Sequence, residues 1–500
     1  MMAATLSKLD KLAHRVEQLP TRSFLLLMVV IGAVLRFFDI AESSIWHDEG
    51  FTMMLVRMAP NQIIARTARD VHPPLYYLLL HYWIMVFGSS ETGARSLSAV
   101  FMIAAIPLAY LLVRRLWSEP AARLAALFVA TGPFLIRYSQ EARMYGMVAF
   151  LLLLATYILL RALESNRWVW WLAYTLTMAA AIYTHYYTIF VIAVHWIYMG
   201  VVTPRQRRTH RGLWNPRWWL SNAVIVLAFL PWLPTAYAQY TRVQSSFWIP
   251  QATVQLLPAT YLEFIIYYLS LNLGPIVEII FGIGMVAVLV WLYRRHTTKR
   301  KAWILLTSYC ALGPVMVWLI SFGPRPIFVD RYFVFAAIAF YCLLGIAVAE
   351  LPRKRIVTIT TAILLLFTVG LVDLHITVDH QMRVIGRYVN THYRPGDEIL
   401  SGEIYTFFDF SYYNHTGATV HLWSTNGVDG YSESSLIYDR ASQIVVEQLS
   451  TIHPTSGKLW VVGKTGYQQY YDPKIIPKTW KPIGPEITAG YCAVQEYRVE

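Results

Sequence analysis

Apolar blocks of about 17 to 22 residues recur along the chain between short charged loops, and this repetition constrains the fold more than any other feature. Blocks of that length cross a hydrocarbon core of about 30 Å as helices, and only helices or closed barrels leave no backbone group unpaired in lipid. They lack the alternation of apolar and polar residues that a barrel strand needs, so helices are predicted. Composition agrees, since 56% of the 500 residues are apolar and only 14% charged, against roughly 25% charged in an ordinary soluble domain. The net charge of +13 sits in short loops between apolar blocks rather than on one soluble face. That placement argues for membrane topology and against a nucleic-acid partner. Cys310 and Cys342 fall in apolar blocks and Cys492 is alone in the tail, so no disulfide framework is expected.

Lys8, Lys11, Arg15 and Arg22 precede the first block, which by the positive-inside rule makes residues 1–22 a cytoplasmic amino terminus. The block Ser23 to Phe38 runs into Asp39, Ile40 and Ala41 without a small-x-small cleavage site, so it reads as a retained helix. Later basic clusters are Arg114 with Arg115, Arg161 with Arg167, Arg205 to Arg217, Arg294 to Lys301 and Arg353 to Arg355. All fall on the inner side if spans lie near 23–38, 95–113, 121–137, 145–162, 168–184, 186–203, 218–236, 276–293, 303–321, 332–350 and 356–372. The expected fold is a polytopic all-α membrane protein of about 11 transmembrane helices over residues 23–372, with a first external loop at 41–94. Leu75 to Phe87 and Tyr261 to Leu273 are then helices of the outer interface, because counting either alone as a span reverses every basic loop after it. Residues 373–500 are polar enough to fold in water. Their Arg394-Pro395-Gly396-Asp397 turn, the Glu398 to Ser401 strand candidate and the Leu459 to Val462 run predict a small external α/β domain.

Chemistry-bearing residues cluster in the loops that this topology puts outside. The first carries Ile45-Trp46-His47-Asp48-Glu49-Gly50, where a carboxylate at the membrane surface could take a proton from an attacking hydroxyl; a solvated acidic loop has the same spacing. Asp70-Val71-His72-Pro73-Pro74 follows, with two prolines fixing the backbone after a histidine that could bind phosphate, or that simply precedes a proline-started helix. After the third span comes Tyr138-Ser139-Gln140-Glu141-Ala142-Arg143-Met144-Tyr145, in which Glu141 and Arg143 could pair or Glu141 could place an acceptor. The last such loop, Gly323 to Tyr332, holds Arg325 and Arg331. Arginine's planar fork suits a lipid phosphate, and equally suits snorkelling to headgroups. Asp48, Glu49 and Glu141 are hard oxygen ligands, which leaves a divalent cation such as Mg or Mn open as a cofactor. In the tail, Tyr405, Phe407, Phe408, Tyr412, Tyr413 and Trp423 read as core more readily than as a sugar-stacking surface.

In this order, the motifs resemble the GT-C superfamily of membrane glycosyltransferases, and most closely the glycosyltransferase 39 family of protein O-mannosyltransferases with the related bacterial aminoarabinose transferases. The resemblance rests on Asp48-Glu49, Asp70-Val71-His72-Pro73-Pro74, Gln140-Glu141-Ala142-Arg143-Met144-Tyr145 and Arg331-Tyr332, and covers about residues 20 to 350. It implies an inverting transfer from a polyprenyl-phosphate sugar to a hydroxyl acceptor at the outer face of a bacterial inner membrane. In it Asp48 is the base, Glu49 its neighbour, Glu141 a second acid, and His72, Arg143, Tyr145, Arg331 and Tyr332 contact substrate. Arg325 joins that set from its loop position alone. The short segment from Tyr237 to Pro258 replaces the large insert of the eukaryotic mannosyltransferases, and the tail is this chain's own, so neither sugar nor acceptor carries over. The rival class is a lipid or glycan transporter or flippase. Transporters place charges near the bilayer midplane and show inverted repeats, whereas these charges fall at helix ends and no repeat is visible.

Overall fold

The computed structural model describes residues 11, 14–15, 18–203, 212–242, 249–267, 273–376, 381–424, 435–437, 441–464 and 476–499, without the side chains of 354, 373–376 and 441–442. Lys8, most of the Arg205 to Arg217 cluster and much of the Tyr261 to Leu273 stretch lie outside the described residues.

Among the described residues, seven helices are long and apolar enough to cross a membrane, or eight if one bent pair is a single span. Glu91–Leu116, Tyr145–Ser165, Pro275–Arg295, Thr297–Ile320, Asp330–Ala349 and Arg355–Val372 fall on expected spans, and Pro216–Arg242 extends the one expected at 218–236. The first expected span is the 17-residue helix Thr21–Phe37. Trp168–Ile182 and Thr188–Val202 are shorter than expected, at 15 residues each. At 1.5 Å per residue each reaches about 22 Å, less than the full hydrocarbon thickness. The helix break between them is a Tyr183-Thr184-His185-Tyr186-Tyr187 turn, where the Thr184 hydroxyl donates back to the Ala180 carbonyl. Leu75–Phe87, with 13 residues, and Leu256–Ile266, with 11, are too short to span unaided.

Packing divides the chain into two compact units, Met1–Phe38 with Arg95–Pro234 and Phe247–Thr377, and Asp39–Ala94 with Thr235–Ser246 and Val378–Glu500. The loop at 41–94, which the sequence assigns to the membrane domain at 23–372, packs with the tail.

In the first unit, helices approach through small residues. Ala121, Ala122, Ala125 and Ala126 of Glu119–Thr131 are buried, and a Cβ on Gly345 of the helix Val334–Ala349 would stand 2.5 Å from the Ala125 nitrogen. In lipid, where apolar burial gives helices no drive to associate, such close backbone approach is what dispersion needs. The bent pair is Glu119–Thr131 with Pro133–Ser139, at 50°. Pro133 has no N–H, so the Val129 carbonyl loses its donor four residues on. Arg36, buried in Thr21–Phe37, supplies the replacement: Nη2 donates to Val129 O at 2.8 Å, and Nη1 donates to Ala130 O at 2.9 Å and Gly32 O at 3.1 Å. A guanidinium within an apolar helix thus satisfies the carbonyls that the break exposes.

In the second unit, His47–Leu55, Pro60–Thr67 and Leu75–Phe87 form the external loop, and the tail forms an α/β domain. The tail strands are β1 Glu398–Ser401, β2 Val420–Trp423, β3 Val445–Val446, β4 Lys458–Lys464, β5 Lys481–Ala489 and β6 Cys492–Arg498, in the order β3-β2-β1-β4-β6-β5. β3, β2, β1 and β4 run parallel, and β6 pairs antiparallel with β4 and β5. The helix Ile404–Tyr413 connects β1 to β2, the crossover that a parallel pair requires. Before β1, Gly396 takes a φ of 96°, and the Asp397 carboxylate accepts from the Arg394 N–H at 2.9 Å, which closes the predicted turn. Phe407, Phe408, Tyr412 and Tyr413 are buried, while Tyr405 and Trp423 are half-buried.

Candidate active site

The first group of predicted site residues stands at the start of the helix His47–Leu55. Trp46 is its N-cap, extended at φ −98° and ψ 169°, so Asp48 and Glu49 fall in the first turn, where unpaired N–H groups favour negative charge. Asp48 is 7% exposed and Glu49 fully buried. These are not residues of a solvated acidic loop. His47 Nε2 lies 3.1 Å from Asp48 Oδ1, and the Thr52 hydroxyl donates to the Asp48 carbonyl at 2.7 Å. His72 is buried with its Nδ1 3.8 Å from Asp70 Oδ2, and Pro73 and Pro74 lead into Leu75–Phe87. The motif therefore both starts a helix and holds a buried acid and histidine together.

The tail builds the wall behind this helix. A Cβ on Gly50 would stand 2.5 Å from the Phe408 carbonyl oxygen, Phe51 packs edge-on to Phe408 with ring centroids 5.6 Å apart, and the Tyr413 hydroxyl accepts from the Ile45 N–H at 2.8 Å. Gly50→Ala gains about 1 kcal/mol of helix propensity. It also drives a methyl into backbone that cannot rotate away, a cost of about 1 to 3 kcal/mol that offsets or exceeds the gain. The variant is expected to melt no higher than wild type in a thermal unfolding measurement, against the rise that propensity alone predicts.

Above Gly50, His47 meets the Tyr405 ring at 4.7 Å, and Asp409, on the same helix as Tyr405, is held by Lys464 Nζ at 2.8 Å. Burial pushes the Asp409 carboxyl up to about 6, with Lys464 and His47 acting to hold it down. For Lys464, burial acts to lower the ammonium pKa, and the Asp409 carboxylate more than offsets it, leaving it above the ordinary lysine value.

The second group belongs to the first unit. Glu141, 2% exposed, pairs with Arg137 Nη2 at 2.8 Å, one helical turn back, and Arg137 Nε donates to the Tyr267 hydroxyl at 3.1 Å. Gln140 Nε2 donates to the carbonyls of Arg36 at 3.2 Å and Phe38 at 2.8 Å, closing the end of Thr21–Phe37. Arg143 is buried, with its carbonyl accepting from the Ser98 hydroxyl at 2.8 Å. Tyr145 joins two of the motifs: its ring contacts Tyr138 at 5.8 Å and Tyr332 at 5.9 Å. Tyr332 in turn contacts His185 at 4.9 Å, and the Arg331 guanidinium lies 5.9 Å from the Tyr332 ring. The Tyr138 hydroxyl donates to Asp330 Oδ2 at 3.1 Å, and Glu263 hydrogen-bonds Asp330. Arg325 is exposed on its loop.

Several of these residues had no role in the motif reading. Arg137 was accessible from spacing, since it precedes Glu141 by one turn of helix. Asp330 and His47 lie within the Gly323 to Tyr332 and Ile45 to Gly50 segments, whose motifs give them no role of their own. Asp409, Lys464, Glu263 and His185 carry no local signal, because their partners are brought to them from distant parts of the chain. Among the described residues, no three His, Cys, Asp or Glu side chains gather into a metal-holding group.

Residues 71–234 match the family described as dolichyl-phosphate-mannose-protein mannosyltransferase. The chain is 27% identical over 101 residues to "Putative mannosyltransferase YkcB" of Bacillus subtilis (strain 168), a match spanning 20% of this chain and 14% of that relative. ArnT from Cupriavidus metallidurans, bound to undecaprenyl phosphate, superposes with a TM-score of 0.63 at 13% identity, covering 95% of this chain and 98% of that one. The Archaeoglobus fulgidus oligosaccharyltransferase in complex with Zn and sulfate gives a TM-score of 0.53 at 14% identity over 94% of this chain and 72% of that one. At such identities the solved structures speak for the fold. The shared fold, the family match over residues 71–234 and the apolar helices are all consistent with a GT-C membrane glycosyltransferase.

Proposed function

We propose that the chain transfers a sugar from a polyprenyl-phosphate donor to a hydroxyl acceptor, a glycan, lipid or protein, at the extracytoplasmic face of a bacterial inner membrane. The observation that carries this reading is the buried Asp48-Glu49 pair at a helix start, with His47 beside Asp48 at 3.1 Å. A carboxylate in that setting suits a general base. The donor class is supported by relatives whose descriptions name dolichyl-phosphate-mannose and undecaprenyl phosphate. The orientation is supported by Arg15, Arg22, Arg114 and Arg115, which the positive-inside rule puts in the cytoplasm, with the first loop and the tail outside.

In the proposed reaction, Asp48 takes the proton of the acceptor hydroxyl as its oxygen bonds to the anomeric carbon from the face opposite the phosphate. The bond from that carbon to the phosphate oxygen breaks, and its electron pair leaves on the polyprenyl phosphate. Inversion follows from opposite-face attack. Arg331 and Arg143 are assigned to the phosphate, whose charge grows as the bond breaks and which a guanidinium matches bidentately. Glu49, fully buried beside Asp48, is assigned to the same acidic pair. His72 orients donor or acceptor, Glu141 holds Arg137 in place, and Tyr145 and Tyr332 form an aromatic wall. Arg325 is assigned to lipid headgroups at the loop surface.

Sugar transfer in proteoliposomes, over a panel of radiolabelled polyprenyl-phosphate sugars and extracted acceptors, tests the proposal. One donor is expected to yield labelled acceptor. Movement of label across the bilayer with no transfer from any donor would instead make the chain a flippase.

A further inference from the structure

We infer that Tyr187 is a positioning residue: by pinning the Gly323 to Tyr332 segment with its hydroxyl and its ring, it holds Arg331 ready for the phosphate of the lipid donor. The inference rests on the assignment of Arg331 to that phosphate. It gives a part in binding to a tyrosine that no motif of the sequence singles out.

The segment is poorly equipped to hold itself. Pro324 and Pro326 have no N–H to give, so neither a helix nor a strand ladder can run through it. Its backbone contributes a bond from the Gly323 N–H to the Ile320 carbonyl at 3.0 Å and one from the Tyr332 N–H to the Val329 carbonyl at 3.1 Å. Between these, side chains of other helices take over. Ile327 is gripped on both sides: its N–H donates to the Ser321 hydroxyl at 2.9 Å, and its carbonyl accepts from the Tyr187 hydroxyl at 2.6 Å. Ser321 is the C-cap of the helix Arg300–Ile320 and Tyr187 the N-cap of Thr188–Val202, so the grip joins two helix ends. Further along, Asp330 Oδ2 accepts from the Tyr138 hydroxyl at 3.1 Å.

Arg331 lies between that bond and a cluster of rings. The Tyr332 ring meets Tyr187 at 5.2 Å, His185 at 4.9 Å and Tyr145 at 5.9 Å, and the Arg331 guanidinium stands 5.9 Å from it. Tyr187 therefore acts on both sides of the arginine, by its hydroxyl on Ile327 and by its ring on Tyr332. Its own N–H donates to His185 Nδ1 at 3.1 Å, which fixes the turn from which it reaches. All of these residues belong to one compact unit.

Packing alone does not explain the hydroxyl, because the Tyr187 ring already meets Tyr332 and Phe333. What the hydroxyl adds is a fixed place for Ile327. An arginine on an unpinned loop must be ordered as it binds, and that cost is taken from the affinity. Pinning the backbone beforehand removes the cost and keeps the guanidinium fork in the geometry that a phosphate accepts.

The test measures the affinity of the full chain, purified in detergent, for undecaprenyl phosphate and for undecaprenol, which share a tail and differ in the phosphate. Wild type is expected to prefer the phosphate, and Arg331→Gln to lose that preference. Tyr187→Phe keeps the ring and removes only the hydroxyl. It is expected to weaken undecaprenyl phosphate binding about tenfold, with undecaprenol binding and thermal melting close to wild type, and to add nothing in the Arg331→Gln background. If Tyr187→Phe melts well below wild type, Ser321→Ala decides the question, since it releases Ile327 from the other side and should show the same phosphate-selective loss. An equal loss for both lipids, or a loss that adds in full to that of Arg331→Gln, would overturn the inference, because a hydroxyl that only stabilises the fold does not distinguish phosphate from alcohol. A wild type without preference for phosphate, or a preference that survives in Arg331→Gln, removes the phosphate assignment itself. Loss of the preference in Arg331→Gln beside its full retention in Tyr187→Phe removes only the positioning role.

Discussion

Asp48→Asn is expected to lower kcat by about 100- to 10,000-fold while leaving donor affinity and the folded fraction close to wild type, the loss typical of removing a general base. Asparagine matches the carboxylate in shape and cannot take the proton. The local fold should survive the change. The Thr52 hydroxyl bonds the Asp48 carbonyl and not its side chain, and the Gly50 and Phe51 contacts to the tail do not involve it. The helix start loses one favourable charge, worth about 0.3 to 1 kcal/mol, and Glu49 remains to supply another. The check is initial-rate kinetics on protein shown to be folded by thermal melting. Ordinary turnover would move the base elsewhere in the chain.

Arg36→Met should produce the largest loss of stability of any single change discussed above. Methionine has a similar length and suits lipid better, so hydrophobicity alone predicts a gain. Two carbonyls decide the sign. Val129 O has no intrahelical donor because Pro133 lacks an N–H, and Ala130 O takes its bond from the same guanidinium. Leaving each unsatisfied costs about 1 to 3 kcal/mol, so a loss of about 2 to 6 kcal/mol is expected, less whatever relief comes from no longer burying a charge. Arg36→Lys should recover part of it, since an ammonium can donate to both carbonyls but not in the fork geometry. Thermal melting in detergent of the three proteins checks the order, with methionine lowest and lysine between. Equal melting of methionine and wild type would show that water or a neighbouring group satisfies the broken helix.

The membrane character of the chain was legible because bilayer thickness imposes a length on every span, and length is a property of sequence alone. Most expected spans fall on helices, and the turn at Arg394 to Asp397 forms as proline, glycine and aspartate dictate. Trp168–Ile182 and Thr188–Val202 are shorter than the spans expected from sequence, because the Tyr183 to Tyr187 stretch between them is apolar enough to pass as helix and forms a turn instead. Arg36 was silent for a different reason. Its role depends on a proline almost a hundred residues later, and no window of sequence holds both.

The same distinction runs through the candidate site. Asp48, Glu49, His72, Glu141, Tyr145 and Arg331 could be named as candidates from motif and spacing, since acids and bases at the ends of apolar blocks stand out against their surroundings. Most of their partners could not. Tyr332 resting on Tyr145 and the tail's Tyr405 against His47 are contacts between segments far apart in the chain. Sequence by itself determined which groups stand at the ends of apolar blocks, because charge and length act locally. Only the tertiary structure decided which of them touch, because that depends on how helices bent at Pro133 and packed at Gly345 in one unit, and packed at Gly50 in the other, bring distant side chains together within each.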